Sequence, residues 1–254
     1  MDGRSLLCLG VKASKTKKEF YYEDKFYNEW MAEWICRNIY QISQKVSAIY
    51  TEISFFIASD FSNRASTQYY LQQNLKQFKE HDILFQEANI IDDEITPAES
   101  VQLITEADVI LLAGGPTLRQ ISSIRKYGLA PVLQRREGIT IGISAGAINM
   151  AKQVVLAKDI SDDIPELSIY EGIGLTDVNI EPHLGDASTE HLEEIRQAAY
   201  YAPIYGLYDE SFILEVDRHQ YFLAHVNYLH KSKKKSLLCL RKEGFSFYRT
   251  FFFS

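Results

Sequence analysis

Ile139-Thr140-Ile141-Gly142-Ile143-Ser144-Ala145-Gly146-Ala147-Ile148-Asn149-Met150-Ala151 reads as an apolar strand, a tight turn and the start of a helix built from small residues. Glycines on either side of Ser144 let neighbouring backbone pass without a Cβ clash, which lifts the serine above the strand end at a helix N-terminus. The same order of apolar run, loop and helix occurs twice upstream. Ile53-Ser54-Phe55-Phe56-Ile57-Ala58 gives way to Ser59-Asp60-Phe61-Ser62-Asn63 and a polar helical stretch from about residue 64 to 79. Asp108-Val109-Ile110-Leu111-Leu112-Ala113 leads through Gly114-Gly115-Pro116-Thr117 into another helical stretch. Between these, Thr96-Pro97-Ala98-Glu99 opens a short helix, with Thr96 as N-cap, Pro97 at the first helical position and Glu99 completing a capping box. Short apolar strands alternating with amphipathic helices predict an α/β fold, a doubly wound and mostly parallel sheet covered on both faces. In such sheets ligands gather beyond the carboxyl ends of the strands, so the loops after Ala58, Ala113 and Ile143 are where chemistry is expected.

Working outward, Phe26, Trp30, Met31, Trp34, Ile35 and Ile39 recur at helical spacing and predict a long amphipathic helix whose aromatic face packs into the core. The last quarter changes character. Phe212-Ile213-Leu214-Glu215-Val216, Gln220-Tyr221-Phe222-Leu223, Ser236-Leu237-Leu238-Cys239-Leu240 and Phe245-Ser246-Phe247-Tyr248 predict antiparallel C-terminal hairpins closing one edge of the sheet. No internal repeat or low-complexity linker divides the chain, so a single domain over residues 1–254 is expected.

Composition narrows the function classes. The 254 residues carry 27 Lys+Arg and 34 Asp+Glu, a formal charge of −7, which is the wrong sign for a protein that reads nucleic-acid phosphates. Hydrophobic residues at 46% and charged residues at 24% indicate a folded core rather than disorder. No apolar run reaches the roughly 18 residues of a spanning helix, and Ser5-Leu6-Leu7-Cys8-Leu9-Gly10 is too short and too weakly preceded by basic charge for a secretory signal. Cys8, Cys36 and Cys239 are widely spaced and form no CxxC pair, which argues against a disulfide framework or a zinc site. A cytoplasmic protein needing no metal or organic cofactor, with no nucleic-acid or membrane partner, is the expectation.

Gly142-Ile143-Ser144-Ala145-Gly146 is the strongest chemical signal, because it places a G-x-S-x-G pattern in the strand–turn–helix context that a nucleophile elbow requires. The Ala145 amide would then face a developing oxyanion; an ordinary small-residue turn is the competing reading. Gly114-Gly115 offers a second donor. Pro116 has no N–H, so Gly115 is the better candidate, against a phosphate-cradling loop or a plain turn. Of six histidines, His81 reads as a polar turn, His191 as a solvated helix face, and His219, His225 and His230 as parts of the late hairpins. His183, in Asn179-Ile180-Glu181-Pro182-His183-Leu184-Gly185, stands at a strand end and is the candidate base.

Leu112-Ala113-Gly114-Gly115, Gly142-Ile143-Ser144-Ala145-Gly146-Ala147 and Glu181-Pro182-His183 together resemble the dipeptidase E and cyanophycinase group, peptidase family S51, over residues 53–216. The resemblance implies the flavodoxin-like architecture of class I glutamine amidotransferases and a Ser–His–acid hydrolase of short peptides. In that reading Ser144 attacks the peptide carbonyl, His183 moves the proton, and the Gly115 and Ala145 amides hold the oxyanion. The family's acid follows a Gly-Leu or Gly-Ile pair, here in Gly206-Leu207-Tyr208-Asp209-Glu210-Ser211, which implies Asp209, with Glu210 as the alternative. Two departures stand out. Pro116 occupies a position where relatives carry asparagine, and Glu190, Glu193 and Glu194 fill the segment where aspartate-cleaving relatives carry arginine, leaving Arg196 as the nearby cation. Aspartyl specificity is therefore not expected.

Two other readings fit the residues. An α/β-hydrolase esterase also uses G-x-S-x-G, but in the order Ser, acid, His, which would recruit His225 or His230 after Asp209. A family-like fold with weak catalysis would serve as a binding module. The expected partner is a small peptide, and the expected state a monomer or homodimer.

Overall fold

The computed structural model describes residues 5–10, 53–80, 84–209, 211–216, 219–223, 225–230 and 235–238. Its main sheet begins with β1 (Ser5–Gly10), β2 (Ile53–Ile57), β3 (Glu87–Ile91), β4 (Val109–Leu112) and β5 (Gly138–Ile143), all parallel and ordered β1-β5-β4-β2-β3. The place of β1 in the sheet is not marked in the local sequence. Its apolar run was too short to signal anything by itself, yet it pairs with β5 along its whole length, Gly10 opposite Ile143. On its other side lies β10 (Phe212–Val216), antiparallel, followed by β11 (His219–Leu223), so one predicted hairpin does close this edge.

Strand residues alternate between two cores, as expected when helices cover both faces. Phe56, Val109, Leu111 and Ile141 pack with Leu71 and Phe78 of helix α1 (Arg64–Glu80). Ile57, Ile110 and Leu112 point the other way, toward helices α2 (Pro97–Glu106), α3 (Thr117–Lys126), α4 (Ala130–Arg135) and α5 (Ala145–Asn149). Thr96 caps α2 as predicted, its hydroxyl accepting from the Glu99 amide at 3.2 Å. The helix expected at residues 26–39 and the strand expected at 245–248 lie outside the described residues.

A second, smaller sheet positions the site. After a hairpin of β6 (Gln153–Leu156) and β7 (Ser168–Glu171), β8 (Asn179–Glu181) runs parallel to β9 (Ile204–Leu207). Antiparallel to β9 lies β12 (His225–Leu229), and β13 (Lys235–Leu238) completes the order β13-β12-β9-β8. The later hairpin thus joins this sheet rather than the main one, because β12 supplies the partner that β9 needs on its open side. Helix α6 (Thr189–Ala198) follows a 3₁₀ turn at Leu184–Asp186. Among the described residues no helix is long and apolar enough to cross a membrane.

Candidate active site

Ser144 sits between β5 and α5 with φ 49° and ψ −109°, outside the regions a serine ordinarily adopts. The flanking glycines are what the turn requires. A Cβ on Gly142 would come within 2.7 Å of the Ala147 amide nitrogen, and one on Gly146 would collide with the Leu112 carbonyl. The elbow therefore folds tightly enough to press α5 onto β4 and leave Ser144 at the sheet's carboxyl edge. The first-turn amide of Ala145 has no intrahelical carbonyl to bond, which leaves it available to a ligand oxygen.

The Gly114-Gly115 loop lies alongside. A methyl group on Gly114 would be 3.5 Å from Ser144 Cβ, and Gly115 adopts φ 131° with Ser59 against it, where a side chain would clash. A buried polar chain fixes this loop to the elbow. Gln120 Nε2 donates to the Ala113 carbonyl at 2.9 Å, Asn149 Nδ2 donates to the Thr117 carbonyl at 2.9 Å and to Gln120 Oε1 at 3.1 Å, and the Tyr170 hydroxyl donates to Asn149 Oδ1 at 2.9 Å. Gln120 and Asn149 are fully buried, so these bonds are costly to break. Nothing in the local sequence marks Gln120, Asn149 or Tyr170, because their partners come from separate elements.

His183 follows β8 with φ 55° and ψ 33°, a left-handed conformation. Among the described residues only Ser144, Asp163 and His183 have positive φ without being glycine. Each such residue costs on the order of 1–3 kcal/mol and persists only where its surroundings enforce it, commonly at functional sites. His183 Nδ1 and Asp209 Oδ1 are 2.9 Å apart, and Asp209 follows β9, the strand beside β8. The Asp209 loop is itself held. Tyr208 stacks on His225 with ring centroids 4.0 Å apart, and Ser211 Oγ donates to the His225 carbonyl while accepting from its amide. The hydrogen bond to Asp209 raises the His183 pKa above 6.5, with added push from the charges of Asp209, Asp162 and Asp186 against the opposing effect of burial. Glu210 lies outside the described residues. Helix α5 packs on β8, so the elbow and the histidine strand are neighbours, although among the described residues no hydrogen bond joins Ser144 to His183.

His183, Asp186 and Asp209 bring nitrogen and carboxylate atoms within 4.8 Å of one another. The His183–Asp209 hydrogen bond accounts for two of the three, and Asp186 is brought beside them by the 3₁₀ turn that follows His183. A cleft of about 480 Å³ lined by Asp60, Phe61, Asp93, Arg119, Lys126 and Tyr127 does not include Ser144, His183 or Asp209.

His191 departs from the expected solvated face. Its side chain is only 16% exposed, with Nδ1 3.0 Å from the Lys158 carbonyl and Nε2 3.3 Å from Glu181 Oε1 and 3.7 Å from Asp159 Oδ2. The reason is the helix phase: Ser188 caps α6 by accepting from the His191 amide, which turns the ring inward over β8. The Glu181 bond pushes the His191 pKa to about 9, whereas burial raises the Glu181 carboxyl and the His191 bond draws it back down. Folding therefore raises both imidazoles, so their contribution to stability is complete below about pH 6.5 and is lost as pH rises toward about 9. The melting temperature is expected to fall across that window in a thermal-shift titration, and to fall less in His191→Gln; a flat profile for the native protein would contradict the assignment.

Arg196 does not reach this cluster; it pairs with Glu193 at 3.0 Å on the exposed face of α6, and Lys158 faces Glu194 at 3.6 Å.

Residues 56–222 match the family model for peptidase family S51. Among solved structures, a peptidase from an acI-B1 actinobacterium superposes with a TM-score of 0.65 at 14% identity, covering 96% of this chain and 97% of that one. A candidate peptidase E from Listeria monocytogenes EGD-e superposes with a TM-score of 0.58 at 15% identity, covering 87% and 98%. At such identities the likeness is one of fold. Comparison with curated proteins gives no match. The matched segment runs from β2 into β11 and contains the strained serine, the strained histidine and its carboxylate partner, so the chain belongs to peptidase family S51, a family of peptide-bond hydrolases.

Proposed function

We propose that the protein is a serine peptidase of the dipeptidase E type, acting on short peptides through Ser144, His183 and Asp209. The observation that carries this reading is the His183–Asp209 hydrogen bond at 2.9 Å, on the strand packed against the helix that Ser144 opens. Asp209 accepts a hydrogen bond from Nδ1–H, which leaves Nε2 as the basic nitrogen. Ser144 Oγ attacks the scissile carbonyl as Nε2 takes its proton, and the Gly115 and Ala145 amides receive the negative oxygen. His183 then protonates the leaving amine, and water, deprotonated by the same nitrogen, releases the acyl group. Serine and base need not bond in the free enzyme, because catalytic hydrogen bonds tighten in the substrate complex.

The esterase reading is disfavoured by chain order, since the carboxylate partner of His183 lies downstream of it, and the His225 ring is engaged with Tyr208. For specificity, the three cations on or beside the post-histidine segment, Lys158, His191 and Arg196, each face a carboxylate. An acidic substrate side chain finds repulsion there. A panel of dipeptides and tripeptides varied at the first residue, with Ser144→Ala as control, is expected to show neutral or basic residues cleaved at least about tenfold faster than aspartate, the size one unpaired charge contributes. Preference for aspartate would overturn the specificity, and no difference from the control on any peptide or simple ester would make the binding module the leading reading.

A further inference from the structure

We infer that His191 is a positioning residue for this reaction: its ring ties together the two ends of the loop that carries His183 and thereby holds the His183 imidazole against Asp209. The inference rests on the reading of His183 as the base.

The loop starts at Glu181, the last residue of β8, and ends at His191 in the first turn of α6. Between them lie Pro182, the left-handed His183 and the 3₁₀ turn Leu184–Asp186. A left-handed histidine does not hold itself, so the surrounding structure must enforce it. The Glu181–His191 contact does so by joining side chains at the loop's two ends, and the bond from His191 Nδ1 to the Lys158 carbonyl anchors both to the segment after β6.

Proton placement follows from the partners. A carbonyl only accepts, so Nδ1 carries a hydrogen. Nε2 faces the Glu181 and Asp159 carboxylates, so a second proton is held between Nε2 and Glu181. The groups around the ring are Glu181 from β8, Asp159 and Asp162 from the turn after β6, and the Lys158–Glu194 pair that joins this turn to α6. Asp162 acts on both His183 and His191, so the two imidazoles have that carboxylate in common. A neutral side chain at 191 leaves Glu181 largely buried without its charged partner and releases one end of the loop.

His191→Gln is the direct test, measured on a peptide that the native enzyme cleaves. The expected result is a kcat at least about tenfold lower with KM within about twofold, because the loss lies in the orientation of the base rather than in substrate binding. The acid limb of kcat/KM separates positioning from simple electrostatics. Slackening the Asp209 bond moves that limb to lower pH, whereas unmasking Glu181 and Asp159 around a well-held His183 moves it higher. Native kcat, or a limb displaced upward, overturns the inference. Should the variant not fold, nitrogen-15 spectra of the native protein at pH 7.5 decide: both His191 ring nitrogens protonated is the expected result, and a neutral tautomer overturns it. An inactive native enzyme would instead count against the peptidase reading, while the His191 spectrum would still be readable.

Discussion

Ser144→Ala is expected to lower kcat by about 10⁴-fold or more while leaving the fold intact, the size of loss seen when a triad nucleophile is removed. The fold should survive because the Ser144 side chain makes no capping hydrogen bond in the elbow, and alanine occupies the same backbone without new contacts. What disappears is the hydroxyl that the elbow places at the sheet's carboxyl edge, beside the Gly114-Gly115 loop. His183→Ala should cost a similar factor, and the double variant should be little worse than either, since nucleophile and base act as one unit. Circular dichroism and steady-state hydrolysis of the best peptide check both expectations. Additive losses in the double variant would show that the two residues act separately.

Asp209→Asn is expected to lower kcat by about 10³- to 10⁴-fold, with little change in melting temperature. The amide retains the shape of the carboxylate but would no longer fix the Nδ1 proton or stabilise the imidazolium that the proposed attack by Ser144 forms. The main cause of the raised His183 pKa also goes, so the acid limb of kcat/KM should move down toward 6.5. Glu210→Gln should change neither quantity. Equal losses in the two variants would remove Asp209 from its role.

The elements that carry these residues were legible because each is local. Val109–Leu112 is buried on both faces and reads as an unbroken apolar run, and the glycines of the elbow are dictated by contacts within a few residues and one neighbouring strand. His183 was legible from its address at a strand end, and Asp209 from resemblance alone. What escaped the sequence depends on distant partners. β1 is six residues whose place in the sheet comes from pairing with β5 and β10, far along the chain. Gln120, Asn149 and Tyr170 form one buried chain from three elements, and no periodicity announces it. His191 was misplaced for the same reason: the glutamates around it suggest a solvated face, but the phase set by the Ser188 cap turns its ring toward Glu181 and Lys158. The acidity of this segment consequently has two parts, an exposed one in Glu190 and Glu193 and a largely buried one in Glu181 that is matched by a histidine charge.

A Ser144 nucleophile activated by His183 underlies all of these expectations. Exposure of the native protein to a fluorophosphonate at neutral pH, followed by peptide mass spectrometry, reports on that nucleophile itself. A single phosphonylated residue, Ser144, is expected, with labelling strongly slowed in His183→Ala; hydrolysis of peptides by a protein that remains unlabelled at Ser144 would rule out the serine nucleophile.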